Sequence, residues 1–69
     1  MPYFTTDDLP PAVQRALPLH AQEIYLSAFN HAWKEYAHRP DREKVAHQVA
    51  WAAVKRLYKK SPWGKWVEK

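Results

Sequence analysis

Six prolines decide where this chain can be helical. Proline lacks the N–H that an interior helical residue donates, and its ring clashes with the preceding turn, so a helix can open on a proline but is broken by one inside it. Pro10 and Pro11, Pro18, Pro40 and Pro62 cut the 69 residues into segments, each of which has to be read for its own period.

In the first segment, Asp7 and Asp8 precede Pro10 and Pro11, an acidic helix start, and Leu9, Val13 and Leu17 recur every four residues. This predicts a short helix with one apolar stripe, ended by Pro18. The second helix is predicted over roughly 19–37. Its Ala21, Ile24, Tyr25, Ala28, Phe29, Ala32 and Tyr36 fall within an arc of about 140° at 100° per residue. Leu26 and Trp33 stand beside that arc, either covered by the chain termini or available to a partner. His38-Arg39-Pro40-Asp41-Arg42 is a break, after which Asp41 and Glu43 open a third helix running to about Lys60. Its middle, Val49 to Val54, is apolar nearly all round. That marks it as the central element, with Ala46, Val49, Ala50, Ala53 and Leu57 as its main face and alanines small enough to let a neighbour approach.

Pro62 and Gly64 stop this helix, yet Trp63 and Trp66 follow. A tail this aromatic is expected to pack back, with 65–67 pairing with the extended Pro2-Tyr3-Phe4 segment as a minimal ribbon joining the termini. The predicted fold is therefore all-α for the most part, a compact three-helix domain occupying residues 1–69 as one unit, with that two-stranded ribbon. Cysteine is absent, so no disulfide supports so small a core. Four Trp, four Tyr and two Phe take that place, each able to bury about 150–250 Å².

The residues offer little for catalysis or metal binding. Ser27 and Ser61 are the only serines, and Glu23 and Glu35 stand about 18 Å apart along one helix, so neither a nucleophile nor a carboxylate pair is evident and no enzyme is expected. His20, His31 and His38 share one side of the second helix, but steps of 11 and 7 residues put them too far apart to ligate one ion. His20 is expected to be hydrogen-bonded at the helix start and His47 to be satisfied at the edge of the core. With one glycine there is no phosphate-cradling loop, and no cofactor is expected. No stretch reaches the roughly 20 apolar residues of a membrane span, and the first residues do not read as a signal peptide. The expected location is cytoplasmic.

Charge is the uneven feature. Residues 1–38 sum to −2 and residues 39–69 to +6 within a net charge of +4. On the third helix Lys44, Gln48, Lys55 and Lys59 fall within about 60° of arc, flanked by Arg56, Lys60 and Lys65. This row reads either as a solvated lysine face or as a track for an anion or a nucleic-acid backbone, with Trp51, Trp63 or Trp66 stacking on bases where exposed.

Taken together, Asp8-Leu9-Pro10 with Val13, Leu17-Pro18, His20-Ala21-Gln22 with Ile24-Tyr25, Ala28-Phe29-Asn30 with Ala32-Trp33 and Tyr36, and Ala46-His47 followed by Val49-Ala50-Trp51-Ala52-Ala53-Val54-Lys55 resemble the ChaB family. The likeness extends from Pro2-Tyr3 to Tyr58 and a late tryptophan. It implies three helices with a small sheet, no assigned catalytic residues, and regulation of a sodium or calcium/proton antiporter by docking of a small protein. A protein partner is therefore expected, through Leu26 and Trp33 or through the basic row. The alternative is a nucleic-acid-binding accessory protein using the basic C-terminal half.

Overall fold

The computed structural model describes residues 3–69. A 3₁₀ turn at Thr6–Asp8 leads into α1 (Pro11–Ala16), α2 (Leu19–Glu35) and α3 (Arg42–Leu57), and two short strands follow, β1 (Tyr58–Lys60) and β2 (Trp66–Glu68). Proline opens α1 at its first position and stands as N-cap of α2. Asp8 does not cap α1, whose N-cap is Pro10 without a side-chain cap; it fastens the preceding 3₁₀ turn, its carboxylate accepting the N–H groups of Phe4 and Thr5 at 3.2 and 3.1 Å. Two glutamines fasten the short helix. Gln14 donates to the carbonyls of Asp7 and Leu9, and Gln22 to those of Gln14 and Leu17. These carbonyls would otherwise lack partners at the ends of short elements.

The core is one cluster. Leu9, Val13 and Leu17 cover one end, Ala21, Tyr25, Phe29 and Ala32 come from α2, and Ala46, Ala50 and Val54 from α3, closed by Tyr58. Four alanines, at 21, 32, 46 and 50, are completely buried where α2 lies against α3, the close approach their size permits. Around Phe29 stand Tyr3, Tyr25, Trp33 and His47, with ring centroids 4.8, 6.5, 5.9 and 4.7 Å away.

Several expectations are corrected. The hub is α2 rather than α3, because the 3₁₀ turn, α1 and α3 all pack on it. The buried line of α3 is Ala46, Ala50 and Val54, so Leu57 is 55% exposed instead of belonging to the main face. The helix also ends at Leu57. Tyr58 is already extended, and Lys59 and Lys60 lie in a strand. Finally, the ribbon is a hairpin made entirely from the C-terminal segment: Tyr58 faces Glu68, Lys59 faces Val67 and Lys60 faces Trp66, antiparallel. A hairpin closes a loop of five residues, whereas joining the termini orders most of the chain first. Pro2 lies outside the described residues. Tyr3 is held on α2, its N–H donating to Asn30 Oδ1 at 2.9 Å and its carbonyl accepting from Asn30 Nδ2 at 2.6 Å.

The turn explains the hairpin. The Gly64 N–H donates to the Ser61 carbonyl at 3.0 Å, with Pro62 and Trp63 between. Gly64 then takes φ +85°, the left-handed conformation that suits glycine after a tight turn. Trp66 packs on Trp51 at 5.6 Å, as a tail folding back requires, but Trp63 stands at the tip, 78% exposed, against the expectation that it joins the core.

Candidate docking surfaces

The basic row predicted on the third helix divides in the structure. Lys44, Gln48 and Lys55 share one exposed side of α3, beside half-buried His47 and Trp51 in a shallow depression. Arg56 follows Lys55 by 100° and projects from a different side of the helix. Lys59 and Lys60 alternate across β1, so they face opposite ways. Lys65 lies with Arg15 and Trp66 in a separate recess against the end of α1. Lys44, Lys55, Arg56, Lys59, Lys60 and Lys65 are thus all exposed but do not form one stripe. A helical wheel cannot reveal this, because it presumes a helix where the chain turns into a hairpin.

Leu26 and Trp33 are half-buried and pack against the core. Trp33 stacks near Phe29, while the Arg42 guanidinium sits 3.9 Å from its ring centroid. Arg42 Nε also donates to the Trp33 carbonyl at 2.8 Å, satisfying one of the last carbonyls of α2. Much of Trp33 is therefore spent on joining α2 to α3.

A wider apolar groove runs elsewhere between these helices. Ile24 and Ala28 of α2 face Val49 and Ala53 of α3, and His20, Glu23, Ser27 and His31 form the polar rim. It encloses about 640 Å³. Both alanines are half-buried, and their small side chains leave the hollow. The sequence signal is two apolar pairs spaced i, i+4, each ending in alanine, but periodicity alone assigns both pairs to buried faces.

Among the described residues no three His, Asp or Glu side chains are grouped so that they could hold a metal ion. His20 Nδ1 lies 2.9 Å from the Tyr58 hydroxyl, a bond to the hairpin rather than to its own helix start. Burial, followed by the nearby Glu68 carboxylate, pushes the Tyr58 hydroxyl up. His47 is satisfied as expected, Nδ1 pairing with the Tyr25 hydroxyl. Burial lowers the His47 pKa against the opposing pull of Glu43, and burial also pushes Tyr25 up to about 12. Tyr25 therefore keeps its proton and donates it to a neutral imidazole. At the α2–α3 turn, hydrogen bonding to Arg39 holds Asp41 below the usual carboxylate range.

Mainly helical, with its candidate sites as open surface grooves and without a membrane-crossing helix among the described residues, the chain falls in the class of small helical folds that carry a short two-stranded ribbon. It belongs to the ChaB family, whose model matches residues 9–69. Proteins named "Putative cation transport regulator ChaB" from Escherichia coli K12 and Shigella flexneri are each 51% identical over 75 aligned positions, spanning 100% of this chain and 99% of theirs. An NMR solution structure of the protein so named has a TM-score of 0.86 to this fold at 51% identity, with 99% of each chain covered.

Proposed function

We propose that this protein regulates cation transport without catalysing a reaction, by docking on the cytosolic face of a cation/proton antiporter for sodium or calcium. The observation that carries the reading is full-length similarity to proteins named as cation transport regulators. The groove between α2 and α3 supplies the surface, an apolar floor at Ile24, Ala28, Val49 and Ala53 with a polar rim, the anatomy of a protein interface. The test is sodium- or calcium-driven proton exchange in membrane vesicles containing the antiporter, with the purified protein added. Addition is expected to change the exchange rate, and an Ala28→Arg, Ala53→Arg variant that keeps its helical circular dichroism is expected to have no effect. An unchanged rate with the unaltered protein refutes the reading.

A second reading has its own observation. Half-buried Trp51 lies between Lys44 and Lys55 on one side of α3 with Trp66 behind it, the combination of cations and aromatic faces that holds single-stranded nucleic acid. Anisotropy of a labelled oligonucleotide at rising salt tests it, with affinity expected to fall linearly on logarithmic axes and to vanish in Lys44→Glu, Lys55→Glu.

A further inference from the structure

The C-terminal hairpin has two unlike faces. Alternation along β1 and β2 puts Tyr58, Lys60, Trp66 and Glu68 on one side and Lys59 and Val67 on the other. The Lys69 N–H donates to the Leu57 carbonyl at 3.0 Å, which extends the pairing by one step and sets Lys69 opposite Leu57. On the outer side Lys59 therefore stands opposite Val67, both exposed, and the next backbone pair joins exposed Lys69 to Leu57, the exposed last residue of α3. It carries no acid. Glu68, the one carboxylate of the ribbon, belongs to the inner side and lies 3.7 Å from His20 Nδ1. At the tip the turn through Pro62 and Gly64 holds Trp63 outward, with Lys65 close behind in the chain.

From this arrangement we infer that the hairpin is a binding element for an anionic lipid bilayer surface. Tryptophan at a protruding tip is suited to the headgroup level of a membrane, where its apolar body and polar N–H are both satisfied. Exposed lysines beside it meet the negative surface potential of anionic lipids, each contributing roughly a fivefold increase in partitioning. A nucleic-acid backbone would use the lysines, but Leu57 and Val67 gain nothing from phosphates, and neither side chain is a flat ring on which a base could stack. Both gain from the acyl boundary. This goes beyond the docking reading and stands without it, since it concerns lipid and needs no antiporter.

The test is co-sedimentation of the full chain with vesicles of phosphatidylcholine alone and of phosphatidylcholine mixed with phosphatidylglycerol. Binding is expected to the mixed vesicles and to be weaker by at least tenfold to neutral ones. Trp63→Ser is expected to weaken it, and Lys59→Gln, Lys69→Gln to lower it on the order of thirty-fold. The same charge change on α3, Lys44→Gln, Lys55→Gln, is the control and is expected to cost only a few-fold. Circular dichroism establishes that each variant is folded. Absence of binding by the unaltered chain, equal binding to neutral vesicles, or equal losses from the two lysine pairs would overturn the inference. So would oligonucleotide binding that depends on Lys59 and Lys69 without any vesicle binding.

Discussion

The chain's two phenylalanines make an internal experiment. Phe29 is completely buried among Tyr3, Tyr25, Trp33 and His47, whereas Phe4 is 89% exposed. Truncating a fully buried phenylalanine to alanine costs about 3–5 kcal/mol, from lost transfer free energy and the cavity left behind. At about 0.05–0.15 kcal/mol per residue the whole fold is held by roughly 3–10 kcal/mol, so Phe29→Ala is expected to be partly or fully unfolded in plain buffer. Phe29→Leu keeps part of the buried surface and is expected to lose about 1–2 kcal/mol. With a urea slope near 1 kcal/mol/M for a chain this small, its midpoint should fall by about 1–2 M. Phe4→Ala should move by less than about 0.5 M. The assay is equilibrium urea unfolding followed by both tryptophan fluorescence and far-UV circular dichroism, whose coincidence tests for a single transition. Equal midpoint shifts for Phe29→Leu and Phe4→Ala, or a wild-type midpoint in Phe29→Ala, would refute the assignment of Phe29 to the centre of the core.

Three further outcomes follow from the same structure. Because burial lowers the His47 pKa below its unfolded value of about 6.5, the unfolded chain takes up that proton first on acidification. Its contribution is fully present above about pH 6.5 and lost as pH falls through the folded value, so the urea midpoint should drop between about pH 7 and 5, and less so in His47→Gln. Gly64→Ala should cost about 1–2 kcal/mol in thermal unfolding, for conformational reasons alone, since no heavy atom beyond its two chain neighbours lies within 4 Å of the added Cβ. Asn30→Ala removes both bonds to Tyr3, and is expected to cost about 1–3 kcal/mol and to speed hydrogen exchange at the Tyr3 amide above all others.

Much of this protein is legible in the amino-acid sequence alone, because prolines and periodicity act locally. Pro11, Pro18 and the Pro40 break set the helix starts, and the four-residue recurrence of Leu9, Val13 and Leu17 marks a buried stripe. The alanines that let α2 approach α3 are readable from size, and residues 9–69 carry the family itself. The tertiary structure decided what depends on contacts distant in sequence. Arg42 covers Trp33 from nine residues away, Tyr58 reaches back to His20, and Asn30 rather than a strand receives Tyr3. It also decided where α3 stops. Helical spacing treats Lys59 as the next step of a lysine row, but a short turn lets Tyr58 to Lys60 pair with Trp66 to Glu68, and an extended backbone sends neighbouring side chains to opposite faces. One helical stripe of charge thereby becomes separate surfaces, because side-chain direction follows the local backbone, and the pairing of Tyr58–Lys60 with Trp66–Glu68 determines which backbone that is.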